Sequence, residues 1–149
     1  MKLRKVIRNV KKWLKEMELK YASYEKSDNE FILIQGYKGK RFFIKIKCTE
    51  EWIYTLCLVL ADELIPDYKR FPLYTELLIQ NKIQPDLTFS IDNEGNVYSE
   101  NDSPADTNYQ AFKSEYNMAI KGIHIILDEI CPKIELNVED TLMGKKEEK

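Results

Sequence analysis

Glu51-Trp52-Ile53-Tyr54-Thr55-Leu56-Cys57-Leu58-Val59-Leu60-Ala61 can be read in two ways, and the architecture follows from the choice. Thr49-Glu50-Glu51 offers a helix cap, yet Trp52 to Leu60 is apolar nearly all round and lacks the polar side that a surface helix shows. Its β-branched and aromatic content predicts instead a strand buried on both faces, because such strands read as near-continuous apolar runs. As a strand it follows residues 41–48 through a short link and becomes the next member of an antiparallel meander. A turn near Glu50 would set Cys57 beside about Phe43 and keep it away from Cys48.

Upstream, Phe42, Ile44 and Ile46 alternate with Phe43, Lys45 and Lys47, and Lys38-Gly39-Lys40 supplies the turn back to a β-branched and aromatic run at 31–37. Residues 20–27 alternate loosely around Tyr21 and Tyr24 before Ser27-Asp28-Asn29, side chains suited to turns, which predicts a short strand and a hairpin. Before them, Leu3, Val6, Ile7, Val10, Trp13, Leu14 and Met17 recur at three- and four-residue spacing. That spacing predicts an amphipathic helix over 2–20 with lysines and arginines on its other face.

Downstream, Pro66 to Pro72 reads as a loop, and 73–82 as a short helix with Leu73, Leu77 and Leu78 on one face, stopped by Asn81 and Pro85. In 86–92, Leu87, Phe89 and Ile91 alternate with Thr88 and Ser90; Asp92-Asn93-Glu94-Gly95-Asn96 then turns the chain into Val97-Tyr98-Ser99. Asn101 to Pro104 reads as a polar loop. Phe112, Tyr116, Ala119, Ile120, Ile123, Ile126, Leu127 and Ile130 trace a long helix that ends before Pro132. The expected fold is α+β: helix, three-stranded antiparallel meander, short helix, β-hairpin, long helix, with helices one and three on one face of the sheet. Residues 1–135 are expected to form one domain and 136–149 a polar, frayed tail.

With 23 basic and 25 acidic side chains the net charge is −2, so the chain as a whole lacks the field of a general nucleic-acid binder. The longest apolar run is about half of the roughly 20 residues a membrane-spanning helix needs, and the basic start leads into no signal-peptide core. A cytoplasmic protein is expected. Three widely spaced cysteines, Cys48, Cys57 and Cys131, with one histidine, indicate buried thiols rather than disulfides or zinc.

No motif points to catalysis, a cofactor or a metal. His124 lies between Ile123 and Ile125 with no nucleophile motif and reads as a helix-edge histidine. Asp92, Glu94 and Asn96 resemble the start of a calcium loop but lack its distal glutamate. Gly36 and Gly39 form no phosphate-binding pattern. Concentrated charge lies in Lys2, Arg4, Lys5, Arg8, Lys11, Lys12 and Lys15, a patch for an anionic partner or simply a solvated helix face. Arg41, Lys45 and Lys47 would extend that patch if they faced the same way.

The order of elements resembles the YbjN family within the type III secretion chaperone-like fold. The resemblance rests on Glu51-Trp52-Ile53-Tyr54-Thr55-Leu56, on the helix Leu73-Tyr74-Thr75-Glu76-Leu77-Leu78-Ile79-Gln80-Asn81 with its Leu-Leu-x-x-Asn ending, and on Leu87 to Val97 around the Asp92-to-Asn96 turn. It implies a homodimer that binds a partner protein, without catalytic residues. Leu73, Tyr74, Leu77 and Leu78 are the expected dimer interface. The basic first helix and near-neutral charge differ from the secretion chaperones, which are usually markedly acidic. The leading expectation is a non-catalytic, chaperone-like or regulatory adaptor acting as a homodimer on an unidentified protein partner; the alternative is a nucleic-acid-associated regulator using the basic face of the first helix.

Overall fold

The computed structural model describes residues 1–138. The first helix, α1 (Leu3–Glu16), has no side-chain cap and is held by burial of Val6, Val10, Trp13 and Leu14. It stops before the expected end because Glu18 adopts φ 57° and the Leu19 amide bonds back to the Leu14 carbonyl, a left-handed helix terminator.

Four antiparallel strands follow: β1 (Ser23–Glu25), β2 (Glu30–Tyr37), β3 (Lys40–Cys48) and β4 (Trp52–Leu60). The 51–61 segment is thus a strand, and the expected short strand at 20–27 is present as β1, paired to the edge of the three-stranded meander. Lys38 and Gly39 both hold positive φ, 52° and 78°, in the two-residue turn whose twist matches the flanking strands. Cys57 pairs with Ile44, one residue along from the expected Phe43, and Cys48 pairs with Ile53, so these thiols lie apart. All three cysteines are free and buried, and burial pushes the Cys48 and Cys131 thiols up to about 12.

The residues expected to form a loop from Pro66 to Pro72 are mostly helical. A 3-10 turn, Asp62–Leu64, leads into α2 (Asp67–Ile83), with Pro66 at its N-cap and Pro72 inside it. A proline this far in removes one backbone bond and strains the turn, which a propensity reading penalises heavily. Arg70 helps offset that loss: its guanidinium bonds Asp67, Asp62, Tyr74 and the Ile65 carbonyl, pinning the first turns.

Two further strands, β5 (Thr88–Ile91) and β6 (Val97–Pro104), complete a six-stranded sheet of order β1-β2-β3-β4-β6-β5. β6 continues through 101–104, which had read as a loop, because β4 supplies partners down to the Trp52–Pro104 pair. Its polar side chains are satisfied by the helix above: Ser99 Oγ donates to the Ala119 carbonyl at 2.7 Å, and Asn101 Nδ2 to that of Glu115 at 3.1 Å.

That helix, α3 (Tyr109–Ile125), is capped by Asn108, whose side chain accepts from the Ala111 amide. It does not end before Pro132. A π-helical turn (Ile126–Ile130) passes into a last short helix, α4 (Cys131–Lys133), so the ladder is widened just ahead of the ring that could not fit a regular one. α1 and α3 share one face of the sheet, where the Trp13 and Phe112 rings lie 5.4 Å apart. Leu136, at the start of the segment expected to fray, is buried, with its amide on the Cys131 carbonyl. The rest of that expectation, 139–149, lies outside the described residues. No helix among the described residues is long and apolar enough to cross a membrane.

Candidate protein-docking surfaces

β4 is apolar on both sides but covered on only one. Ile53, Thr55, Cys57 and Val59 are buried beneath the helices, whereas Tyr54, Leu56 and Leu58 are half-buried and Trp52 is exposed on the other side. The expectation of burial on both faces is therefore corrected: among the described residues the sheet has one layer of cover.

The uncovered face has a definite chemical pattern. Lys45 pairs with Leu56 and Leu56 with Glu100; in the next row outward, Lys47 pairs with Tyr54 and Tyr54 with Asp102. Each row runs cation on β3, apolar or aromatic on β4, anion on β6. Ile34 opposite Phe43 and Leu58 opposite Tyr98 add an apolar row, and Phe43, Leu56, Leu58 and Tyr98, with Lys45 and Glu100, line a hollow of about 570 Å³ that Ile91, Asp92 and Glu30 also border. Tyr98 donates from its hydroxyl to Asp92 at 3.1 Å, and burial followed by that hydrogen bond pushes its phenol up.

A second apolar surface lies on α2. Tyr68, Phe71, Leu78, Ile79 and Ile83 face outward, with Phe71 82% and Leu78 70% exposed. Their spacing of three, seven, one and four residues keeps them on one stripe of the helix. The opposite stripe carries Leu73 and Leu77, both buried in this chain's own core. Of the four residues expected at a dimer interface, Leu73 and Leu77 thus point inward, Tyr74 is half-buried beside Arg70, and Leu78 alone stands well exposed. Leu78 does not share the face of Leu73 and Leu77, as the sequence reading had it. Tyr68, Phe71, Ile79 and Ile83 were missed. Their signal was an apolar position on both sides of a helix, obscured by the prolines that bracket its first turns.

The two sheet edges differ. The side-chain amide of Asn81 on α2 bonds the backbone of Phe89, which covers the edge of β5. β1 pairs with β2 only from Glu30 to Ile32, so among the described residues the outer edge of β2, opposite β3, has no strand against it from Leu33 to Tyr37.

The other sequence candidates sort as follows. Arg4, Lys5, Arg8, Lys11, Lys12 and Lys15 are all exposed on α1. Lys45 and Lys47 stand on the uncovered sheet face, away from α1, and do not extend its patch. His124 is half-buried, its ring stacked on Tyr37 with centroids 4.0 Å apart. Asp92 binds the turn itself, accepting from the Glu94 and Asn96 amides and the Asn96 side chain, which holds its carboxyl below the usual range. Among the described residues no group of three or more histidine, cysteine or acidic side chains is placed to hold a metal ion.

This arrangement, a sheet with helices on one side, an apolar second face and an apolar outer helix, is shared with solved structures of the type III secretion chaperone-like fold. The chain is similar to the E. coli protein YbjN, with TM-score 0.67 and 13% identity over 93% of this chain and 96% of that one. It is also similar to a chain of the ExsC–ExsE complex, with TM-score 0.64 and 13% identity over 86% and 95%. The Yersinia pestis type III secretion chaperone SycH, solved with a fragment of YscM2, gives TM-score 0.56 and 8% identity over 80% and 97%. At these identities the likeness is one of fold. No protein-family model matches the sequence, and no curated protein matches it.

Proposed function

We propose that this protein is a non-catalytic, chaperone-like binding domain that acts as a homodimer and holds a partner polypeptide. The observation that carries the reading is β4, an interior strand with a full apolar second face that nothing among the described residues covers. Interior strands of this composition are ordinarily sandwiched. A second copy suits the missing layer, because the charge pattern is self-complementary. Rotating a copy by a half turn about an axis along β4 lays its β3 over the first copy's β6. Lys45 and Lys47 then face Glu100 and Asp102 across a band of Leu56, Leu58, Phe43 and Tyr98, and the same contacts recur in reverse, as an isologous interface requires. The apolar stripe of α2 is the second surface on which a copy or a partner could dock.

The uncovered stretch of β2 offers main-chain groups to an extended segment of a partner, a common mode of peptide capture. Neighbours of this fold were solved with polypeptide partners, ExsC with ExsE and SycH with a YscM2 fragment, which supports the partner-binding part of the reading. Sedimentation equilibrium of the purified chain tests the dimer: a particle of twice the chain mass is expected, and a monomer at about 100 μM would contradict it.

A further inference from the structure

We propose that the outer face of α1 binds the phosphate backbone of nucleic acid, without reading its bases. Arg4, Lys5, Arg8, Lys11, Lys12 and Lys15 are all exposed. At about 100° per residue they fall within an arc of roughly 120°, over about 16 Å of helix axis. None of them has an ion pair with a described residue. The whole chain carries a net charge of −2, so this face is a concentrated cationic strip on an otherwise acidic body. Over about 16 Å the two strands of a duplex present about nine phosphates, roughly half of them on the side that faces a helix laid alongside, a number comparable with these cations.

Two competing occupants fit less well. Insertion into an anionic membrane needs an apolar helix face at the surface, and the apolar side of α1, Val6, Val10, Trp13 and Leu14, is buried against the sheet and α3. A protein partner needs apolar or aromatic anchors at the centre of its contact, and the strip offers charge alone. Binding to phosphates needs neither.

The test is fluorescence anisotropy with a 20-base-pair DNA duplex and a 20-nucleotide RNA strand, between 50 and 200 mM salt. The native chain should bind at least one of them, with affinity falling steeply and linearly on logarithmic axes. Replacing Arg8→Gln, Lys11→Gln, Lys12→Gln and Lys15→Gln together should weaken binding at least tenfold at 50 mM salt and flatten the slope by about three to four. Should the fourfold variant fold poorly, Lys11→Gln alone should reduce the slope by about 0.9. The proposal falls if neither nucleic acid binds at 50 mM salt, or if the variants leave the slope unchanged. It falls equally if polyglutamate or phosphatidylglycerol vesicles bind as tightly as the nucleic acids at the same salt.

Discussion

Asn81 meets Phe89 as a strand would: its Oδ1 accepts from the Phe89 amide at 2.7 Å, and its Nδ2 donates to the Phe89 carbonyl at 2.9 Å. One side chain thereby occupies the bonding positions of a neighbouring strand on β5. Asn81→Leu keeps the bulk and leaves both backbone groups without a partner. Unfolding in urea should show a loss of about 1–3 kcal/mol. Light scattering should show association that grows with concentration, because an exposed edge recruits other edges.

Gly122 lies where α3 crosses β6, and a Cβ there would stand 1.9 Å from Ser99 Oγ and 2.6 Å from Ser99 Cβ. Gly122→Ala should therefore cost about 1–3 kcal/mol through overpacking. Ser99→Gly in the same chain should restore part of that loss, and thermal melts of the two variants check the coupling.

Phe71 and Leu78 are exposed on α2, so Phe71→Glu with Leu78→Glu should leave the monomer's stability within about 0.5 kcal/mol. Under the proposed assembly the same pair, or Leu58→Asp on the sheet face, converts the dimer to a folded monomer. Sedimentation velocity with circular dichroism reads both properties together. A variant that stays dimeric removes its face from the interface.

Asp128 accepts hydrogen bonds from the Tyr37 hydroxyl and from Lys38 Nζ, the latter at 2.7 Å. Burial alone would raise its carboxyl, but these bonds hold it below the usual range. A carboxyl depressed on folding adds stability above its unfolded pKa of about 4 and loses it as pH falls through the folded value. The melting temperature should decline in that acid range, and Asp128→Asn should lower it at neutral pH and flatten the decline. Glu115 has the opposite sign. Burial, then Asp86 and Asp102, raise its carboxyl, so acidification favours the folded form there and Glu115→Gln should steepen the acid limb. Melts across about pH 3–7 separate the two.

Much of this fold was legible because its periods are clean. Val6, Val10, Trp13 and Leu14 mark α1, the alternation of Phe42 to Lys47 marks β3, and Trp52 to Leu60 has a strand's composition. Three features were not. Pro72 hid the first turns of α2, since a local reading cannot see the Arg70 network that holds them. Asn101 and Ser103 looked like loop because the α3 carbonyl that Asn101 bonds and the neighbouring strand β4 lie far along the chain. The part of the α2 surface on Phe71, Ile79 and Ile83 went unread for a related reason: an apolar residue in a sequence signals burial, but not whether the cover comes from its own chain.

The inequality of the two sheet margins also limits assembly. With one margin occupied at Phe89 and the other, among the described residues, open from Leu33 to Tyr37, lateral growth has one favoured point of attachment. The ribbon can accept one guest segment, or meet one other ribbon margin to margin, and then has nowhere left to extend. Filaments need two sticky ends; this molecule terminates its own chain of additions.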